Sequence, residues 1–344
     1  MKKHRILLMV HEELIPPEDL TGLTDEDIVD CRSEYDVYAN LCNLGHDVRV
    51  IGVGDQLADL RKLIQAWKPY VVFNLLDEFG GIVSYDHYVV AYLELLRQAY
   101  TGCNPRGLML SRDKVLTKQI LAWHRIPTPD FRLFPVGHRF REPRRINFPL
   151  FVKSATEDAS LGIAQASVVE DMGSLRERVE FMHQYLETDA LVEEYVEGRE
   201  LYVGVMGNSR LTTFPVWEMH FGTMPETQAR IATRKVKWDR KYQAKHDIST
   251  AKAQDLSSSQ LEHIGRLAKR IYRALHMSGF ARMDFRMGAG GKVLLLEANG
   301  NPDLSYGEDF AESGAAMGLN YNKLLSRIIN LGKSYSPEWR TLQS

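Results

Sequence analysis

The feature that most constrains this chain is a hairpin near its C-terminus, whose two apolar strands carry polar side chains at alternate positions. These residues are Arg282 and Asp284 on the first strand, and Glu297 and Asn299 on the second. Because strand side chains alternate between faces, each pair lies on one face of its strand. A turn of two or four residues through the glycine-rich segment 288–291 would bring both pairs onto one surface, with Arg282 opposite Glu297. A turn of three or five residues would reverse that parity.

Two carboxylates, an amide oxygen and a guanidinium on one surface suit Mg²⁺, which takes oxygen ligands and keeps waters and substrate phosphates in its shell. An ordinary hairpin with a solvated polar face, in which Arg282 bridges Glu297, also explains these residues. The following segment 300–305, Gly-Asn-Pro-Asp-Leu-Ser, favours the metal interpretation. Such a constrained and polar sequence is typical of a loop shaped around a ligand.

The composition is that of a globular protein with two or three compact units. The chain has 344 residues, of which 44% are hydrophobic and 26% charged, and its net charge is −2. This balance gives no electrostatic reason to expect nucleic acid or an anionic membrane as a partner. The apolar run 6–10 is too short for a signal peptide, and three cysteines without metal spacing fit a reducing cytoplasm. We therefore expect a cytoplasmic protein.

The N-terminal part alternates strands and helices. The predicted strands cover 5–10, 46–52 and 70–75, and the predicted helices cover 33–44, 56–67 and 86–97. This alternation predicts a parallel, doubly wound sheet, in which ligands gather at the carboxyl ends of the strands. Glu12 and Glu78 follow the first and third strands there. No G-x-G-x-x-G motif follows the first strand, so we do not expect a dinucleotide site.

Beyond residue 110 the pattern changes to longer helices and strands that follow one another directly. The predicted helices are 111–124, 174–186 and 257–275, and the predicted strands are 148–153, 190–196 and 200–206. The polar segment 221–256 is longer than most loops, so we expect it to be functional or mobile. We predict three parts, comprising residues 1–110, 111–205 and 206–335.

Two further segments carry candidate binding residues. Lys153 ends an apolar strand before the small-residue loop 154–162, and backbone N–H groups of such loops cradle phosphates. A strand-terminal lysine in water is the alternative. Glu193 and Glu194 end the next strand and Glu200 follows; carboxylates there can bind an adenine amino group or ribose hydroxyls, or merely form a polar turn.

The order of these pieces resembles the ATP-grasp superfamily and, within it, the D-alanine–D-alanine ligase family. The resemblance extends from Tyr100 to about residue 330. The stretches that carry it are Ser111–Lys114, Phe151–Lys153 with Ala159–Gly162, Val192–Glu194, Arg282–Asp284 and Leu296–Asn299. It implies an ATP-grasp fold, α/β and α+β, behind an N-terminal doubly wound domain.

The resemblance also implies a role for each candidate residue. Lys114 and Lys153 would bind the phosphates of ATP, and the loop around Ser160 would close over the γ-phosphate. Glu193, with the backbone of Glu194 and Val196, would bind the adenine. Glu200 would bind the ribose. For the reaction, Asp284, Glu297 and Asn299 would bind two Mg²⁺ or Mn²⁺ ions, and Arg282 would face the reacting carboxyl group. The segment 221–256 would be a lid, with Lys237 or Lys245 facing the phosphates.

The substrate-binding motifs of that family are replaced. Segment 11–17 stands where the family has Gly-Gly-x-Ser-x-Glu, Asp303 stands in place of a glycine, and Glu308 in place of a serine. The candidate substrate residues are Glu12, Glu78, Asp303, Ser305 and Glu308. The acidic candidates, together with Asp77 and Asp309, would bind the amino group of the substrate or a more cationic acceptor. Alternatively, some of these acids face solvent or cap helices.

The resulting hypothesis is an ATP-dependent carboxylate–amine ligase that forms an amide bond between amino acids or small peptides. ATP would phosphorylate the acid, and an amine would displace phosphate from the acyl phosphate. One alternative is D-alanine–D-alanine ligation in cell-wall synthesis, and another is an ATP-binding regulatory protein without turnover. The resemblance implies a homodimer.

Overall fold

The computed structural model describes residues 2–21, 24, 28–143, 146–156 and 162–341. The strands are β1 Arg5–His11, β2 Asp47–Val53, β3 Val71–Asn74, β4 Phe131–Phe134, β5 Leu150–Ser154, β6 Val168–Val169, β7 Ala190–Glu194, β8 Arg199–Met206, β9 Thr212–Thr213, β10 Trp217–His220, β11 Ser249–Lys252, β12 Phe280–Met287 and β13 Val293–Asn299. The helices are α1 Arg32–Asn43, α2 Ala58–Trp67, α3 Asp86–Leu95, α4 Pro105–Arg112, α5 Lys114–Trp123, α6 Met172–Tyr185, α7 Arg234–Trp238, α8 Arg240–His246, α9 Ser258–Ala274, α10 Asp309–Ala315, α11 Tyr321–Ser334 and α12 Glu338–Thr341. Among the described helices, none combines the length and hydrophobicity that a membrane span requires.

The described strands form three sheets. The N-terminal sheet is parallel with the order β2-β1-β3. The central sheet is antiparallel with the order β4-β7-β5-β6. The C-terminal sheet has the order β11-β10-β8-β12-β13, with β9 beside β8. A parallel sheet followed by two antiparallel ones is the predicted combination of α/β and α+β parts.

Helices cover both faces of the N-terminal sheet, as predicted for a doubly wound domain. On one face Leu8 packs with Val37 of α1 and Ile328 of α11. On the other, Leu7 lies in one cluster with Leu60 of α2, and this cluster continues into the C-terminal sheet. The first and third predicted parts therefore share their hydrophobic core. The central sheet has a core of its own, formed with α6.

Two predicted boundaries are wrong. Strand β8 belongs to the C-terminal sheet, so the boundary between the second and third parts lies before Arg199 rather than after residue 205. A single helix from Ser111 to His124 was also expected, but Asp113 interrupts it. The backbone of Asp113 is extended, and its side chain accepts the N–H of Leu116 as the N-cap of α5. Ser111 is consequently near the end of α4, and Lys114 begins α5.

The predicted lid segment 221–256 is ordered where a loop was expected. It contains α7, α8 and the edge strand β11, which pairs with β10. A small apolar cluster holds it on the C-terminal sheet and includes Trp217, Phe221, Val236 and Ile248. The widely spaced apolar residues show no helical or strand period, which is why the sequence predicts a loop.

Two helical glycines provide a test of the shared core. A Cβ on Gly332 of α11 would lie 2.2 Å from the carbonyl oxygen of Tyr100, whereas a Cβ on Gly265 of α9 would meet only the Thr213 hydroxyl at 3.5 Å. G332A should lower the free energy of unfolding by about 1–3 kcal/mol because α11 must move away from the N-terminal sheet. The control G265A should raise it by about 0.5–1 kcal/mol. Denaturant titration measures both, and an unchanged stability of G332A would contradict the close packing.

Candidate active site

A β-bulge brings the four polar side chains of the C-terminal hairpin onto one surface. Met287 pairs with Val293, so the turn holds five residues, 288–292, which is the parity that would separate the two polar pairs. Leu296, however, is an extra residue on β13: Phe285 pairs with Leu295, while Asp284 pairs with Glu297. The bulge reverses the parity a second time.

The resulting pairs differ from those predicted. Asp284 lies opposite Glu297, and Arg282 lies opposite Asn299 rather than Glu297. Directly opposed residues in an antiparallel pair project on the same side of the sheet. Arg282, Asp284, Glu297 and Asn299 therefore share one face.

Each carboxylate on this face is paired with a cation. Arg282 donates to both oxygens of Asp284, at 2.7 and 2.9 Å. Lys114, at the start of α5, lies 3.1 Å from Glu297. Burial opposes the charge of Arg282, but Asp284 and then Asp309 outweigh it and raise the pKa of the guanidinium well above its ordinary value. Arg282 is consequently a fixed positive charge.

This donor set fits Mg²⁺. Two adjacent carboxylates and one amide oxygen are hard oxygen ligands, and waters and phosphates normally complete such a shell. The amide oxygen of Asn299 also accepts the N–H of Asn301 at 2.7 Å, which fixes its orientation. Within the described residues no group of three His, Cys, Asp or Glu side chains forms a metal cluster. The site would therefore rely on its amide ligand and on ligands from the substrate.

The site has two walls. The first is the polar face of the hairpin, and the second is a buried ion cluster on the central sheet. Glu193 of β7 forms ion pairs with Lys118 of α5 and, at 2.9 Å, with Lys153 of β5. Lys153 also lies 3.4 Å from the carbonyl oxygen of Leu296, the bulge residue. The side chains of Glu193 and Lys118 are each only 2% exposed. The cluster thus connects the central sheet to α5 and to β13.

The charge state of the cluster follows from burial and from the two lysines. Burial alone would raise the pKa of Glu193, but Lys118 and Lys153 outweigh it and lower the pKa. Burial also lowers the pKa of Lys118, although Glu193 opposes this. Beside the cluster, a cavity of about 10 Å³ is lined by Lys114, Lys118 and residues 295–298. It has room for about one water molecule, so a nucleotide at this position requires the two walls to separate.

The other residues assigned to the nucleotide are placed around these walls. The N–H of Glu194 donates to the carbonyl of Asp130, and Val196 lies half-buried in the link between β7 and β8. Glu200 is buried, with its carboxylate 2.9 Å from Arg286 and 2.8 Å from the Tyr202 hydroxyl. Their roles in binding adenine and ribose stay predictions.

The structure separates the two lysines proposed for the lid. Lys237 of α7 is half-buried, and its charge acts on Asp309 near Arg282. Lys245 of α8 is exposed. This placement favours Lys237 as the residue that faces the phosphates. Ser160, assigned to the loop over the γ-phosphate, lies outside the described residues.

The substrate candidates fall into two groups. Glu12 is exposed and lies against Gly54, and Glu78 lies 3.3 Å from His11, so both are at the carboxyl end of the N-terminal sheet. The second group is in the loop after β13. Asp303 accepts both the N–H and the hydroxyl of the buried Ser305, at 2.7 and 2.6 Å, and Glu308 is the residue before α10.

The loop after β13 meets two acidic residues of α1 that the sequence does not single out. Asp36 accepts the N–H of Tyr306 at 2.9 Å. Glu34 is 6% exposed, and the charges of Asp303 and Asp77 act on it. Burial, and then Asp303 and Asp77, raise the pKa of Glu34 to about 8. Although the side chain of Glu308 reaches solvent, its partial burial together with Asp303 and Asp309 raises its pKa to about 7.

Three other residues of the site are absent from the sequence prediction. Lys118 follows Lys114 by one helical turn, a spacing that could have identified it. Arg286 donates to the carbonyls of Gly198 and Arg230, and so connects β12 to the lid segment. Arg112 pairs with buried Asp86 at 2.8 Å and donates to the carbonyl of Asp77. Only the folded chain shows the last two contacts, which join residues far apart in sequence.

Comparison with solved structures identifies the fold. The chain superposes on a D-alanine–D-alanine ligase of Bacillus anthracis, solved in complex with ATP, with a TM-score of 0.72 at 19% identity, covering 99% of this chain and 100% of that one. The VanG D-Ala:D-Ser ligase of Enterococcus faecalis gives a TM-score of 0.70, also at 19% identity, with 96% and 100% covered. The fold is therefore ATP-grasp, as predicted.

Sequence comparison establishes the family. The profile described as "D-ala D-ala ligase C-terminus" matches residues 121–330, and the chain belongs to this family. An uncharacterized protein of Sinorhizobium fredii, y4sG, is 30% identical over 76% of this chain and 74% of its own length. A D-alanine–D-alanine ligase of Streptococcus agalactiae is 28% identical over 81% of this chain and 78% of its own. The protein is an ATP-grasp ligase of the class that forms carbon–nitrogen bonds.

The buried carboxyl of Glu34 should make stability depend on pH. Because its pKa is about 8 in the folded chain and about 4.5 when solvated, the folded state holds a proton that the unfolded state has lost over this interval. The contribution of Glu34 to stability is therefore present below about pH 4.5 and is lost as the pH rises to about 8. Because glutamine does not ionise, E34Q should flatten this part of the profile of Tm against pH. At pH 8 it should raise the Tm by about 2–4 °C for each kcal/mol of unfolding free energy that it restores. Scanning calorimetry of both proteins from pH 5 to 8.5 tests this; parallel profiles would contradict it.

Proposed function

We propose that the chain joins the carboxylate of an amino acid or small peptide to an amine, with an acyl phosphate as intermediate and ADP and phosphate as products. The observation that carries this proposal is the polar face of the C-terminal hairpin. Arg282, Asp284, Glu297 and Asn299 lie together there, and the face meets Lys114. Family membership supports the reaction class, and the geometry supports the assignment of roles.

The three lysines supply the positive charge for the triphosphate. In the structure they are paired with Glu297 and Glu193. Phosphate oxygens are stronger acceptors for ammonium groups than a shared carboxylate, so ATP would draw Lys114 and Lys153 away from these partners. Asp284, Glu297 and Asn299 would hold two Mg²⁺ ions, or Mn²⁺ in their place. These ions would neutralise charge on the transferring phosphoryl group.

The chemistry proceeds in two displacements. A carboxylate oxygen of the acid attacks the γ-phosphorus of ATP, the bond from that phosphorus to the β,γ-bridging oxygen breaks, and ADP leaves with the electron pair. The nitrogen of the neutral amine then attacks the acyl carbon. As the C–N bond forms, the C–O bond to phosphate breaks and phosphate leaves with that pair, while the nitrogen gives its proton to the departing phosphate.

Arg282 stabilises the charge that develops on the acyl oxygen during the second displacement. Its guanidinium is held on both sides, by Asp284 at 2.7 Å and by Asp309 at 4.0 Å, and lies 4.9 Å from the ring of Tyr202. A cation fixed in advance of the reaction needs no reorganisation, which makes such a group effective. The lid segment with Lys237 would exclude water from the acyl phosphate.

The ADP-forming reaction needs the two walls of the site to separate. The cavity beside Glu193 measures about 10 Å³, and Lys153 contacts the Leu296 carbonyl across the cleft. The central sheet has its own core, so it can move as a unit without unfolding the rest of the molecule. We propose that ATP opens the cleft by taking over the lysine contacts.

The relatives and the residues of the site favour different substrates. D-alanine for both substrates is the second candidate, which the named relatives favour. The acidic side chains at Asp303 and Glu308 favour a different amine. By analogy with the family, we propose that the protein forms a homodimer and acts in the cytoplasm, where ATP is made.

A screen for phosphate release tests the function. Single amino acids, dipeptides and amines are combined pairwise with MgATP, and products are identified by mass spectrometry. Release of ADP that requires both an acid and an amine, with an amide product, is the expected result. D-alanine alone giving ADP release would support the second candidate. MgATP binding without release across the whole panel would contradict the ligase proposal.

A substitution at Arg282 tests the role of its guanidinium. R282K keeps the charge but loses the forked geometry that pairs with Asp284, so kcat should fall by about 10²–10³-fold while MgATP affinity changes little. R266K is the matched control, because Arg266 is an exposed residue of α9 paired with Glu262. Equal kcat in R282K and R266K would remove Arg282 from the mechanism.

A further inference from the structure

The aromatic ring of Tyr202 lies against the guanidinium of Arg282. The central carbon of the guanidinium is 4.9 Å from the centre of the ring. Tyr202 is on β8, directly opposite Asp284 of β12, so its side chain projects from the same side of the sheet as Arg282. A cation within about 6 Å of an aromatic face is attracted by the negative face of the ring. Arg282 therefore has a third neighbour besides Asp284 and Asp309.

The hydroxyl of Tyr202 is fixed by a buried carboxylate. It donates to one oxygen of Glu200 at 2.8 Å, while the other oxygen of Glu200 lies 2.9 Å from Arg286. Arg286 also donates to the carbonyl oxygens of Gly198 and Arg230. Tyr202, Glu200 and Arg286 are 2%, 5% and 3% exposed. Hydrogen bonds to a charged group are strong where water is excluded, so the end of the tyrosine side chain has one well-defined position.

Apolar side chains enclose the ring itself. Tyr202 belongs to the cluster that holds the lid segment, together with Trp217 and Met219 of β10 and Val236 of α7. The sulfur of Met219 lies 3.7 Å from the tyrosine hydroxyl. Side chains in such close-packed surroundings have little room for other rotamers. The ring is therefore a rigid surface against which Arg282 rests.

The contacts with Asp284 and with Tyr202 restrain Arg282 in different directions. Asp284 accepts from Nε and Nη2, and these N–H groups lie in the plane of the guanidinium. The ring instead meets the flat face, so it limits movement out of that plane. Asp309 lies 4.0 Å from Nη1, which is beyond hydrogen-bonding distance. Nη1 is thus the nitrogen that these restraints leave to an incoming oxygen.

We infer that Tyr202 is a positioning residue for the second displacement: its ring, anchored through Glu200, holds the guanidinium of Arg282 where Nη1 meets the developing charge on the acyl oxygen. This role rests on the proposed ligase function and on the role proposed for Arg282. Tyr202 touches no reacting atom, because its side chain is buried beneath the guanidinium. It acts through orientation, and a shift of about 1 Å in a positioned group is enough to cost about 10²-fold in rate.

Substitution of the ring tests this role, with the acid and amine that the phosphate-release screen identifies. Y202L removes the aromatic face, so kcat should fall by about 10- to 100-fold while MgADP affinity stays within about three-fold. Y202F keeps the ring and loses only the hydroxyl, so its kcat should stay within about three-fold of that of the unsubstituted chain. An unchanged kcat in Y202L would overturn the inference. So would a loss in Y202F as large as that in Y202L, because the hydroxyl and not the ring would then be responsible.

A combined variant shows whether Tyr202 acts through Arg282. R282A leaves no guanidinium to position, so the further change Y202L should lower the kcat of R282A by less than about two-fold. Two independent effects would instead multiply, and the full loss seen in Y202L would appear again in the double variant. That result would give Tyr202 a merely structural role and refute the inference.

Y272L is the matched control for loss of core packing. Tyr272 of α9 is also buried, and its hydroxyl donates to the carbonyl oxygen of Gly207 at 2.7 Å. It packs in the core on the opposite face of the C-terminal sheet, with Val203 of β8. Y272L should lower the Tm by at least as much as Y202L and, assayed below both Tm values, keep the kcat of the unsubstituted chain. Equal losses of kcat in the two variants would overturn the inference.

The outcomes separate the positioning role from the proposed function. Amide formation at the same rate in Y202L and in the unsubstituted chain refutes the positioning role alone. Absence of amide formation by the unsubstituted chain across the whole panel refutes the ligase proposal, and the positioning role with it. Y202M, whose flexible side chain fills more of the vacated volume, replaces Y202L if that variant does not fold.

Discussion

The buried ion cluster around Glu193 is the interaction on which the arrangement of the site depends. One carboxylate is shared by a lysine of α5 and a lysine of β5, and the second lysine also reaches the bulge of β13. The central sheet, which has its own core, is thereby joined at one point to α5 and β13, which share a core. Such a contact is specific in geometry but weak evidence for net stability, because removing three charges from water costs about as much as their attraction returns. A cluster of this kind is well suited to being exchanged for phosphate contacts.

The acids near α1 are arranged differently from those of the nucleotide walls. In the walls, Glu193, Glu200 and Glu297 each have a basic partner. Glu34 of α1 is buried instead, and this burial, with the charges of Asp303 and Asp77, raises its pKa to about 8. Functional sites commonly retain such unfavourable arrangements, since a ligand relieves them.

The sequence was sufficient to predict the fold class and the parallel N-terminal sheet, and it identified Arg282, Asp284, Glu297 and Asn299, which the structure brings onto one face. Their periodicity and order in the chain are local or sequential signals. It was not sufficient for the pairing of Asp284 with Glu297, because that depends on the bulge at Leu296, which leaves no mark in the pattern of apolar residues. Glu34 could not be recognised either. An acid in the first turn of a helix is common, and only its burial in the folded chain distinguishes Glu34.

The position of α11 has a consequence for how the protein is made. This helix lies far along the chain from β3, yet Ile328 and its neighbours cover one face of the sheet that β1, β2 and β3 build. During synthesis, part of that face stays exposed until residues 321–334 have left the ribosome. The N-terminal domain therefore cannot mature first, as domains usually do. Its completion waits for α11, and a product truncated before α11 would present exposed apolar surface to chaperones and proteases.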